Sequence, residues 1–116
     1  MIDLYEATEE LVRLVQSAGL DSASDTRNLN LPAVWVTPNN LTVDTLSRSS
    51  GTGEFDLWLI YPDNGEALAG LSAMLKQLAT VIPVNVATAV SLNLPNHGAD
   101  PLPGLQITTT IRITEE

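Results

Sequence analysis

The sequence predicts an α+β domain, with two helices packed on one face of a mainly antiparallel five-stranded sheet in the order α-β-β-β-α-β-β. Residues 2–18 and 66–82 repeat apolar side chains at the spacing of one-sided helices. Several other stretches alternate apolar and polar residues with the two-residue period of a strand. Grouped strands, rather than strict strand–helix alternation, favour an antiparallel sheet with both helices on one side. The whole chain, 1–116, reads as one domain without repeats. At this length folding removes roughly two-thirds of the surface that the unfolded chain exposes, enough for a core without staples.

In the first helix, Leu4, Ala7, Leu11, Leu14, Val15 and Ala18 fall on one stripe and Glu6, Glu9, Glu10 and Arg13 on the other side. The acidic residues near its start complement the positive end of the helix dipole, and Gly19 suits the left-handed position that ends a helix. Residues 20–32 are polar and aperiodic, and read as a loop. Ala33–Thr37 reads as a strand closed by Pro38-Asn39-Asn40, and Leu41–Leu46 alternates again, so an antiparallel hairpin is expected between the two. Arg48–Gly53 reads as a flexible tip. Its Gly51-Thr52-Gly53 lacks the third glycine, the lysine and the following helix of a phosphate loop.

The centre of the chain is Glu54–Ile82, a strand that runs almost directly into a helix. Phe55, Leu57, Leu59 and Tyr61 share one face of the strand; Asp56, Trp58 and Ile60 share the other. The second face turns apolar towards its end, so Trp58 and Ile60 must be covered by another segment or by another subunit. Asp63 or Asn64 is expected to cap the helix, with Glu66 at the third helical position if Asp63 is the cap. Leu68, Leu71, Leu75, Leu78, Ala79 and Ile82 form its apolar stripe, and Pro83 ends it. Val84–Leu94 and Gly104–Thr114 read as long alternating strands joined by the turn-rich loop 95–103.

Composition excludes several classes of function. The chain has 14 acidic and 5 basic residues, a net charge of −9. Such a chain is repelled by free nucleic acid and anionic membranes, because holding phosphates requires Lys and Arg. There is no cysteine, so disulfides and thiolate metal sites are excluded. The N-terminal residues lack the basic and apolar regions of a signal peptide, and no stretch reaches the ~20 apolar residues of a membrane span. The expectation is a soluble protein made without an export signal.

Residues with chemical potential are few. His97 is the only histidine, beside Asn96 and Asp100 in the 95–103 loop, and no nucleophile motif surrounds it. Asp63, Glu66 and Asp100 are too scattered for a calcium loop, and no metal or cofactor is expected. Trp35 and Trp58 have no basic neighbours for nucleic-acid stacking, which favours packing in the core or at a subunit interface. Arg112, on the polar face of the last strand, is placed to meet an acidic group of a neighbouring subunit. Candidate interface residues are therefore Trp58, Ile60, Arg48, Arg112, His97 and Asp100.

Segments 32–38 (Pro-Ala-Val-Trp-Val-Thr-Pro), 57–63 (Leu-Trp-Leu-Ile-Tyr-Pro-Asp) and 91–108 lie along a helix–strands–helix–hairpin order. In this the chain resembles the tail terminator proteins of long-tailed bacteriophages, in particular the small versions in phages of actinobacteria. The likeness spans nearly the whole chain but includes no catalytic fingerprint. It implies a non-enzymatic structural virion protein that forms a hexameric ring at the neck, assembled in the host cytoplasm. The ring stops growth of the tail tube and offers the head connector a joining surface. The implied partners are other copies of the chain, the major tail tube protein and the head-completion protein. Genomic DNA would pass through the ring without specific binding, and no membrane is involved. A second reading is a head-closure or other neck protein of the same virus; a third, from a different class, is a small enzyme or ligand-binding domain centred on His97. Exposure alone suggests the 47–53 tip and the 95–103 loop as contacts to the tube or connector.

Overall fold

The computed structural model describes residues 4–25, 30–43, 50–62, 65–84, 86–93 and 101–114. Its elements are α1 (Leu4–Ser17), β1 (Ser22–Ala23), β2 (Ala33–Val43), β3 (Ser50–Ile60), α2 (Ala67–Leu78), β4 (Thr88–Leu92) and β5 (Leu102–Thr114). Five strands form one sheet in the order β1-β2-β3-β5-β4. Among the described residues the β1–β2 pair is parallel and the other pairs are antiparallel. The α+β class and the element order agree with the sequence reading.

The strands are divided differently from that expectation. Residues 33–43 form one strand rather than two arms of a hairpin, and β2 pairs along its length with β3. Register shifts between Pro38 and Asn40. Before this irregularity the even residues Val34 and Val36 enter the core; after it the odd residue Leu41 packs on the same core. A β-bulge adds one residue to one strand and resets its alternation. Read as a sequence, that change of phase looks like a strand end. The 48–53 tip is corrected in the same way, because Ser50–Gly53 belong to β3, with Gly51 opposite Val43 and Gly53 opposite Leu41. Residues 44–49, including Arg48, lie outside the described residues. The expected 20–32 loop contains β1, held by the Val34 amide donating to the Asp21 carbonyl at 2.8 Å.

The main core lies between the helices and one sheet face. Phe55, Leu57 and Leu59 of β3 are fully buried there with Val34, Val36 and Ile107. From α1 come Leu11, Val12 and Val15; from α2 come Leu71, Met74 and Leu78. The buried stripe of α1 therefore includes Thr8 and Val12 and leaves Leu14 exposed. Thr8 is accommodated because its hydroxyl donates to the Leu4 carbonyl at 2.7 Å. Gly19 takes a φ of 89° just after α1, the left-handed conformation that suits glycine.

In α2 the stripe runs through Met74, and Leu68 is 84% exposed. The helix starts later than expected, with Glu66 itself at the cap position and no side-chain capping bond; residues 63–64 lie outside the described residues. It also ends sooner, giving way after Leu78 to turns that still bury Ile82.

The last two strands hold a further correction. β4 covers only 88–92 of the expected 84–94. Its pairing sets Ala89 opposite Leu105, and sets Val90 and Leu92 opposite Gly104 and Leu102. Since Leu105 packs against the helix-side core and β strands alternate, Val90 and Leu92 point to the other face. The apolar side of β4 is therefore turned away from the helices, whereas that of β5 (Ile107, Ile111) faces them. Gly104 sits where the strands crowd: a Cβ there would lie 2.7 Å from the Leu59 carbonyl oxygen.

Gly104→Ala is expected to destabilise the fold by about 1–3 kcal/mol, as overpacking against fixed backbone does. Gly65→Ala, where a Cβ meets nothing within 4 Å, serves as the control. Urea unfolding followed by tryptophan fluorescence checks both; equal midpoints would mean the sheet yields freely at Gly104.

Candidate functional site

The outer sheet face, away from the helices, has an apolar end and a polar end. At the apolar end Ala33, Ile60 and Leu102 are buried, with Ala23, Leu31, Trp35, Trp58 and Leu92 packed around them. Register sets Ala33 opposite Ile60 and Trp35 opposite Trp58. The indole rings stack with centroids 6.0 Å apart and planes inclined by 26°. Trp58 is half-buried and Ile60 is 0% exposed. Their cover comes from their own chain, so Ile60 offers no surface to a partner. That intrachain cluster also removes any need for a neighbouring subunit to bury Trp58.

The two indoles differ in hydrogen bonding. Trp35 donates from Nε1 to the Ser24 carbonyl at 3.1 Å, and the Ser24 hydroxyl donates to Glu9 Oε1 of α1 at 2.6 Å. This chain of contacts ties α1, the β1 segment and the outer face together. The Nε1 of Trp58 is buried without a partner. An unpaired buried donor carries a desolvation cost that a paired one does not.

At the polar end Asp56 Oδ1 accepts from the Thr108 hydroxyl at 2.9 Å and from Asn39 Nδ2 at 3.5 Å. Arg112 is exposed at this end, opposite Thr52 in the register, so it lies well away from the tryptophans rather than beside them. Arg48, His97 and Asp100 lie outside the described residues, as do residues 95–100 of the proposed contact loop. Of the 47–53 tip, Gly51 and Gly53 are buried strand residues, so they cannot serve as an exposed contact. Among the described residues no group of three His, Cys, Asp or Glu side chains stands close enough to hold a metal ion.

A surface that sequence reasoning missed lies at the β4 edge. Leu68, Leu71, Ser72 and Leu75 of α2 face Ala89 and Val90 of β4 and Pro103–Leu105 of β5 across an open groove of about 490 Å³. Ala89 and Ser91 are exposed, and β4 itself contains neither charge nor proline. Edge strands are usually guarded by such residues or kept very short. At the other side of the sheet, among the described residues, β1 covers β2 at Val34 and Trp35, and Pro38 and the bulge interrupt the edge beyond. The stripe of α2 carried the signal for the groove: Leu68 sits at its margin, and small residues (Ala67, Ser72, Ala89, Gly104) leave room beside it.

Compared with protein-family models and with curated proteins, the chain matches none.

The indoles can be told apart by substitution. Trp35→Phe is expected to cost about 0.5–1.5 kcal/mol more than Trp58→Phe in equilibrium unfolding, because only the former breaks a hydrogen bond. Equal losses would show that ring packing alone decides both.

Proposed function

We propose that this chain is a structural ring subunit: a tail terminator of a long-tailed bacteriophage, which caps the tail tube, ends its polymerisation and presents a joining surface to the head connector. The observation that supports this best is the difference between the two lateral edges of the sheet. Among the described residues, the β4 side has an uncovered edge beside an apolar groove, while the β2 side is partly capped by β1 and interrupted at Pro38. A closed ring is built from head-to-tail contacts, and these need two different surfaces on every subunit. The resemblance of segments 32–38, 57–63 and 91–108 to terminator proteins supplies the viral context.

The charge is in keeping with this role. A ring through which DNA must slide gains from a surface that repels phosphate, and this chain carries −9. On this reading the partners are other copies of the chain, the major tail tube protein and the head-completion protein, and the place of action is the virion neck.

Electron microscopy of assembling particles tests the reading. Without this protein, tails should be overlong or fail to join filled heads; when it is restored, a ring should stand at the top of tails of uniform length. Normal tails in its absence would rule the role out. His97→Ala should leave assembly intact; loss of turnover of some substrate in that variant would instead favour an enzyme centred on His97.

A further inference from the structure

Charge and exposed apolar surface are both distributed unevenly across the sheet. α1 packs on β1 and β2, whereas α2 packs on β3 and β5. α1 and the β1 segment contain Glu6, Glu9, Glu10, Asp21 and Asp25 against one cation, Arg13. Residues 67–93 contain no carboxylate at all and one cation, Lys76, in a chain with 14 acidic residues. Glu66, at the start of α2, is the carboxylate next to this window, so the α2–β4 side carries fewer acidic residues than the α1–β1 side.

The exposed apolar side chains divide between the same two sides. On α1, Tyr5 is 73% exposed; at the α2–β4 side, Leu68 is 84% exposed. Helical spacing puts Tyr5 on the same flank as Glu9 and Gln16. That flank faces the β1 edge, because Glu9 accepts from the Ser24 hydroxyl and Gln16 Nε2 donates to the Ser22 carbonyl at 3.2 Å. Tyr5 therefore projects at one lateral edge of the molecule, among carboxylates. The groove opens at the opposite edge, and Lys76 lies one helical turn beyond Ser72 of its wall.

We propose that the α2–β4 groove receives the α1–β1 edge of a second copy of this chain, with Tyr5 as the side chain that enters it. The proposal rests on the ring reading and names its subunit contact. Tyrosine suits the position, since its ring fills an apolar groove while its hydroxyl stays at a wet mouth. Lys76 of one copy then faces the acidic edge of the next. Because the two surfaces lie at opposite edges, the contact is head-to-tail, and each added copy again presents a free groove.

The absence of native cysteine makes cross-linking a clean test. Tyr5→Cys and Leu68→Cys replace exposed side chains, and circular dichroism checks that both variants fold. Under mild oxidation at high protein concentration, a mixture of the two single variants should give disulfide-linked dimers, and the double variant a ladder of multimers. Each single variant alone should give little dimer. Lys76→Glu in the Leu68→Cys background should lower the mixed yield several-fold at low salt, and less at high salt. Equal dimer from a single variant would show a symmetric contact and overturn the proposal, as would no cross-link in the mixture. Rings on tails without the cross-link would refute this contact and leave the ring reading standing. The cross-link together with normal tails in the protein's absence would do the reverse.

Discussion

Every other part of the molecule depends on β3 being buried on its helix side, covered at Ile60 on the other, and paired on both edges. Its helix-side residues Phe55, Leu57 and Leu59 have no exposure, nor does Ile60 on the other face. It pairs with β2 along one edge and β5 along the other. Fully burying a large apolar side chain is worth about 1.5–3 kcal/mol, so these four residues supply much of the drive to fold. Pairing also fixes alternation: a one-residue slip of either neighbour would turn its apolar side chains to the wrong face. The bulge in β2 and Gly104 in β5 both serve this strand. The first restores Leu41 to the core after the phase changes; the second lets a neighbour approach the Leu59 carbonyl.

Local periodicity made the helices and most strand positions legible, because spacing is a property of neighbouring residues. Phase was less legible. In α1 the buried face includes Thr8 and Val12 rather than Leu14, and in α2 it includes Met74 rather than Leu68. Rotation of a helix about its axis is decided by what it packs on, and hydrophobicity along the chain does not encode that. β1 was invisible for a related reason: two residues paired in parallel with a distant strand leave no periodic trace. The direction in which β4 turns its valine and leucine followed from register with β5, a long-range match.

The same division applies to the candidate surfaces. The run Trp58–Ile60 was rightly singled out as needing cover on its second face, but the source of the cover was not decidable from sequence. Leu31, Leu92 and Leu102 come from segments far apart in the chain and converge only in the folded sheet. The groove beside Leu68 left only a partial trace in the stripe of α2, since an apolar residue at helical spacing reads as core. What distinguishes it is the small size of its neighbours, and their positions are known only once α2 lies against β4 and β5.

An unguarded edge strand beside an apolar groove is an aggregation hazard in a free monomer. The net charge of −9 offsets it, because copies that approach in random orientations repel one another. Repulsion of this kind falls off within about 8 Å at physiological ionic strength, so it slows encounters more than it weakens a well-matched contact. The distribution of charge then matters more than its total. With no carboxylate in residues 67–93, charge is sparse along the groove, Glu66 standing just before its wall at Ala67. Under the ring proposal, such an arrangement favours dispersed copies at low concentration and association in one orientation where a template raises their local concentration. The proposed ring role would draw on that bias, since it steers copies towards the head-to-tail contact proposed above.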